Sequence, residues 1–271
     1  MIPPLLRGGR LEPFHLTHKA SSMLAIIGGS GLDALPELAN VQSRSVDTGY
    51  GAPAPIVHRG TLGGSDVLFI ARHGDAHAVP PHRINYRANI RALALEGATE
   101  IIAVAAVGGI RGHPPGSLAI PAQLIDYTSG REATFFDGAD APVTHVDFTL
   151  PYSPALREVC RTAAARAGIA LHDGGIYAAV NGPRLESAAE IDRMQRDGAT
   201  MVGMTGMPET VLAREAGIAY AAIALCVNHA AGRGDSVLAI SPTALARTLA
   251  EGMTRVRALL FRIGADRKDA S

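Results

Sequence analysis

The sequence predicts one α/β domain with a central mixed, largely parallel β-sheet flanked by helices. Short apolar, β-branched runs alternate with amphipathic stretches along most of the chain, the pattern that builds such a sheet. Glycines fall directly after the helical patterns, where a left-handed cap is wanted. Polar clusters fall where predicted strands end, and open α/β sheets bind ligands outside the carboxyl ends of their strands. With 271 residues, 47% of them hydrophobic and 18% charged, the chain can bury one large core.

In chain order, strands are expected over 24–27, 67–71, 101–107, 117–127, 176–180, 201–204 and 218–227. Helices are expected over 86–96, 154–167, 188–196, 208–216 and 243–263. Gly97, Gly168, Gly198 and Gly217 close four of these helices, and Pro154 and Pro208 suit first-turn positions. Residues 1–22 carry three prolines, scattered basic residues and no apolar stretch of signal-peptide length, so they read as a disordered leader. The domain is expected to span 23–271.

Twenty-five basic residues balance 25 acidic ones, and the pI is near 7.2. A nucleic-acid polymer needs a basic face, so none is expected as a partner. Cys160 and Cys226 are too few for a disulfide framework and lie in no CxxC spacing, which points to a reducing compartment and no structural zinc. No run approaches the roughly 18 to 20 apolar residues of a membrane span. A soluble, cytoplasmic protein is expected.

Four strand-end clusters carry chemistry. Gly28-Gly29-Ser30-Gly31 brings backbone N–H groups and a hydroxyl close enough to cradle phosphate, and fits an ordinary turn equally. It also matches GxGxxA through Gly29, Gly31 and Ala34, but Pro36 interrupts the helix that a dinucleotide site needs. Arg72-His73-Gly74 offers a bidentate phosphate fork and a titratable ring. The same tripeptide occurs in histidine phosphatases, where it closes the first strand; here it follows the second. His77 and His82 add no metal triad. Met204-Thr205-Gly206-Met207-Pro208-Glu209 joins a strand to a helix, so Thr205 reads as a helix cap or as an anion ligand. Asn228-His229-Ala230 ends an apolar strand, where Asn228 presents donors and an acceptor to a flat heterocycle or simply makes an Asx turn. Two clusters, and the Thr205 segment as a third, suit an oxyanion; the last suits a base-like ligand.

Ile26 to Leu32, Ala71 to Gly74, Asn85 to Asn89, Asn181 to Arg184 and Met204 to Glu209, taken together and in order, resemble the methylthioadenosine phosphorylase branch of the trimeric purine nucleoside phosphorylases. The resemblance runs from Met23 to the last helix. It implies that inorganic phosphate attacks the anomeric carbon of a purine nucleoside, releasing the base and a ribose 1-phosphate derivative. It implies Ser30, Arg72, His73 and Thr205 as phosphate ligands, joined by Ala105 and Ala106; Ala105 replaces a threonine frequent in the family and offers only backbone N–H. Met204 would lie against the ribose. Leu185 stands for a family aromatic over the base, which forfeits about 0.5–1.5 kcal/mol of stacking. Asn181 stands where relatives have Glu.

Asn228 stands where adenine-specific relatives have Asp, and Ala230, beyond His229, replaces a second Asp. An amide N–H suits the oxygen of a 6-oxopurine, whereas a carboxylate suits a 6-amino group; a mismatch costs on the order of 1–3 kcal/mol. The expected base is therefore hypoxanthine, and the resemblance implies methylthioinosine as the substrate, with general purine nucleosides or methylthioadenosine as the alternative and a histidine-type phosphatase or a non-catalytic nucleoside binder as readings of a different class. Asn228, Arg72 and His73 are the expected catalytic residues. Phosphate is a co-substrate; no cofactor and no metal are implied. Val237 to Ile240 would line a 5′ pocket. His145 matches a position that reaches into a neighbouring subunit, so a homotrimer or dimer of trimers is expected.

Overall fold

The structure, a computed structural model, describes residues 22–74, 78–138 and 142–269. Apart from Ser22, the predicted leader lies outside the described residues, as does His77.

Among those residues eleven strands form one mixed sheet. They are β1 (Leu24–Gly28), β2 (Ala39–Ser45), β3 (Ile56–Leu62), β4 (Ser65–Ala71), β5 (Glu100–Gly109), β6 (Leu118–Ile120), β7 (Gln123–Asp126), β8 (Leu171–Asp173), β9 (Ile176–Ala179), β10 (Met201–Gly203) and β11 (Ala219–His229). The α-helices are α1 (Tyr86–Leu95), α2 (Pro154–Arg166), α3 (Ala188–Arg196), α4 (Gly206–Glu215) and α5 (Pro242–Asp269). Strands β1 and β11 read as unbroken apolar runs because helices cover both faces of the sheet. Side chains of α2 and α5 pack on one face, and those of α1 and α4 on the other.

Local chemistry sets the helix ends. Ser153 caps α2 by accepting from the Leu156 N–H, ahead of Pro154 at the first turn. Ser187 and Glu190 form a reciprocal capping box on α3. Gly97, Gly168, Gly198 and Gly217 all take positive φ one residue past a helix cap, as expected. Met207 has strand-like dihedrals of −118° and 140°, so the regular part of α4 starts at Pro208.

Several boundaries differ from expectation. The run 117–127 is two strands with different neighbours, since Pro121 cannot donate to a ladder. Strands β2 and β3 form an antiparallel edge ribbon; every residue of β2 is exposed, so it shows no apolar periodicity to read. Strand β8 is only three residues long. Asn228 and His229 are not a loop after the strand: they continue β11 past a register shift between Cys226 and Asn228. No helix follows β1, in keeping with Pro36 and against a dinucleotide loop.

Strand β5 positions the site. On one edge it pairs with β11 along its whole length. On the other, β1 pairs with Glu100 to Ala103 and β10 with Gly108 and Gly109. Val104 to Val107 thus have a strand partner on the β11 side alone, and the sheet splits there. Alternate backbone groups of this stretch face the split, where no ladder consumes them, although the Val104 carbonyl there accepts from Arg72.

Both cysteines are free thiols, and burial pushes each up to about 12. Among the described residues no helix is long and apolar enough to cross a membrane.

Candidate active site

A cavity of about 190 Å³ opens at the split, between the ends of β1, β4, β10 and β11. It gathers Ser30 from the turn after β1, Arg72 and His73 from the turn after β4, and Ala105 and Ala106 from β5. Met204 and Thr205, from the turn after β10, close the same wall. Asn228 and Leu185 line it as well. Residues up to 198 positions apart in sequence are joined here by topology.

Arg72 is held on three sides. Its Nε and Nη2 donate to Glu209 at 2.6 and 2.8 Å, and its Nη1 donates to the Val104 carbonyl at 2.8 Å. Glu209 is fully buried and also accepts from the Tyr220 hydroxyl at 2.7 Å. Burial alone would lower the guanidinium pKa, but the Glu209 carboxylate overrides it and the net shift is upward. Five N–H groups minus three leaves two, enough for a bidentate grip on an oxyanion.

The neighbours of Arg72 are fixed as well. His73 Nδ1 lies 2.8 Å from the Val79 carbonyl; an oxygen that can only accept requires the proton on Nδ1. The Thr205 N–H donates to the Tyr177 hydroxyl at 3.3 Å. Its own hydroxyl makes no cap bond to α4, so capping is not its structural role. Gly29 is required by close approach: a Cβ there would stand 2.4 Å from the Val104 oxygen and 2.7 Å from Arg72 Nη1. Gly29→Ala is expected to cost about 1–3 kcal/mol by overpacking, read as a lowered thermal midpoint.

The Asn228 amide donates one N–H to the His229 carbonyl at 2.6 Å, which leaves its second N–H and its oxygen for a ligand. Other expected contacts are not brought to this cavity. His229 turns away and pairs with Asp235 at 2.7 Å. Ala230 is buried in an apolar cluster with Val202 and Met194. The Asn181 side chain is committed to Ser129, accepting from its N–H at 3.2 Å and donating to its carbonyl at 3.1 Å. Asn181 lines a separate, more polar cavity of about 460 Å³. The larger volume lacks Arg72, His73 and Asn228, which the smaller one brings together. His145 is exposed and lies away from both.

Val237 and Leu238 are 63% and 98% exposed; Leu245 and Leu249 of α5 supply the apolar wall instead. The expectation for 237–240 is not met, because a surface apolar run and a helix-facing pair look alike before packing is known. It also passed over Glu186, which borders both cavities beside Leu185. Burial raises its carboxyl pKa above the ordinary value. An acidic residue next to a predicted base-packing residue was the available signal.

A sequence profile described as the phosphorylase superfamily matches residues 23–263. The chain belongs to that superfamily. Among its relatives, "Probable S-methyl-5'-thioinosine phosphorylase" of Pseudomonas syringae pv. tomato is 49% identical over 245 residues, covering 89% of this chain and 98% of the relative. "6-oxopurine nucleoside phosphorylase" of Pyrococcus furiosus is 44% identical, covering 79% of this chain and 82% of the other. Methylthioadenosine phosphorylase from Schistosoma mansoni, solved in complex with adenine, superposes with a TM-score of 0.85 at 29% identity, covering 92% of this chain and 93% of that one. The fold of this superfamily member is thus that of the purine nucleoside phosphorylases.

Proposed function

We propose that this phosphorylase is a pentosyltransferase that cleaves S-methyl-5′-thioinosine with inorganic phosphate, giving hypoxanthine and 5-methylthioribose 1-phosphate in purine salvage. One observation carries the reading: a single cavity gathers oxyanion donors and a neutral amide, Asn228. The name of the Pseudomonas relative agrees with it.

In this reading a phosphate oxygen attacks C1′ while the C1′–N9 bond breaks. The electron pair leaves with the base, which takes a proton at N7 from solvent water. Ser30, Arg72, His73, Thr205 and the N–H of Ala106 hold phosphate below the sugar, while the adjacent Ala105 N–H points toward β11 and Ala105 adds only contact. Charge stabilisation and in-line placement carry the rate, since phosphate is already a nucleophile. Met204 covers the ribose and Leu185 the base. Leu245 and Leu249 supply the apolar wall that suits a methylthio group. Asn228 donates to O6, and its oxygen accepts a hydrogen bond from N7–H of the departing base. Glu186, as a carboxylate, accepts from N1–H, a donor that 6-oxopurines have and adenine lacks. His145 and the exposed apolar residues Val143 and Leu150 of the same segment suit a homotrimer.

Incubation with methylthioinosine, methylthioadenosine and inosine, followed chromatographically, tests the substrate. Methylthioinosine should be cleaved most efficiently, and preference for methylthioadenosine would reject the base assignment.

The Glu186 role has a pH signature. A carboxyl whose pKa is raised stays protonated to higher pH, and the neutral acid accepts from N1–H more weakly than the carboxylate. Hence kcat/KM should fall as pH drops through a value above the ordinary glutamate range. Glu186→Gln should remove that acidic limb and lower kcat/KM roughly tenfold or more; an unmoved pH profile would exclude the contact.

A further inference from the structure

The cavity has one wall from Met204 and Thr205, after β10, and another from Leu185 and Glu186, at the end of a segment whose start, Val180 and Asn181 after β9, borders the neighbouring cavity. These walls belong to different strand ends. One side chain from a third segment joins them. Arg131, between β7 and α2, sends Nη1 to the carbonyls of Met204, at 2.8 Å, and of Met207, and Nη2 to the carbonyls of Asn181, at 3.0 Å, and Val180, at 3.3 Å. Nη1 also reaches the Tyr86 hydroxyl at 3.3 Å, and the guanidinium carbon lies 5.2 Å from the Tyr86 ring centre.

A half-buried guanidinium whose Nε is enclosed ordinarily has a carboxylate partner. Among the described residues Arg131 has no ion-pair partner, and its buried Nε has no hydrogen-bond partner. Its charge is met by carbonyl dipoles of the two turns and by an aromatic face. A planar fork with donors on two separated nitrogens can hold both turns at once; a lysine ammonium, a single point, cannot.

We propose that Arg131 is a positioning residue that ties the Met204–Met207 turn to the Val180–Asn181 turn, fixing the spacing between the phosphate and base ends of the cavity. Its kinetic consequence rests on the phosphorylase reading above; its structural consequence does not. Without the tie, Thr205 and Glu186 no longer keep one separation, and phosphate and nucleoside are both held less well.

The test compares the full-length wild-type chain with Arg131→Lys and Arg131→Gln by hydrogen exchange and steady-state kinetics. Exchange should accelerate about tenfold, together, at the Thr205 and Val180 amides in both variants, with β1 and β4 unchanged. KM for phosphate and for methylthioinosine should both rise severalfold, with a smaller change in kcat. Acceleration in one turn only, or in neither, overturns the proposal. So does a Lys variant with wild-type exchange, since it keeps the charge and loses only the fork. Should Arg131→Gln not fold, the Lys comparison alone decides. If the wild type cleaves no nucleoside, the functional reading fails while the exchange data still settle the tie.

Discussion

Glu209→Ala is expected to cost about 3–5 kcal/mol of stability, because it leaves the Arg72 guanidinium buried and unpaired. Both side chains are 1% exposed, so water cannot substitute for the carboxylate. The Tyr220 hydroxyl loses its acceptor in the same step. Glu209→Gln should be milder in stability, since the amide oxygen still accepts one bond, yet it replaces a two-oxygen clamp by a single acceptor. In that variant KM for phosphate should rise more than KM for the nucleoside. Denaturant unfolding and phosphate titration of the rate check the two parts separately. A Gln variant with unchanged phosphate KM would show that Arg72 needs no clamp to grip its anion.

Asn228→Asp is expected to move selectivity toward the 6-amino substrate. The carboxylate offers acceptors only, which pair with an amino group and oppose the O6 acceptor. At about 1–3 kcal/mol for a mismatched buried pair, the ratio of kcat/KM for methylthioinosine over methylthioadenosine should fall roughly ten- to hundredfold. Asn228 already gives one N–H to the His229 carbonyl, so the aspartate also loses that local bond and the whole shift need not appear as new adenine activity. Competition between the two nucleosides measures the ratio directly. An unchanged ratio would place base selection in another residue, with Glu186 the first to examine.

How far the sequence discloses such a site depends on the kind of signal. Strands β1, β5 and β11 were legible because both faces are buried and the apolar runs are continuous. Helix ends were legible because Gly97, Gly168, Gly198 and Gly217 answer a local backbone need. The exposed β2 ribbon, and the break at Pro121, carry no such pattern; their positions follow from partners elsewhere in the chain. The same division runs through the cavity. Ser30, Arg72, His73, Thr205 and Asn228 sit at strand ends, where a general rule directs attention. Arg131 sits in an irregular segment, and only folding brings it behind two turns some 50 and 75 residues away in sequence. Asn181 shows the converse: its motif is conspicuous, yet hydrogen bonds to Ser129 turn it into the neighbouring cavity.

The central claim is phosphate-dependent cleavage of a 6-oxopurine nucleoside at the split in the sheet. Phosphorus NMR of the protein with methylthioinosine and inorganic phosphate tests it most directly. A new sugar 1-phosphate resonance should grow in step with free hypoxanthine and vanish when phosphate is omitted or Arg72 is replaced. Hypoxanthine released at the same rate without phosphate, and with no phosphorylated sugar, would contradict it.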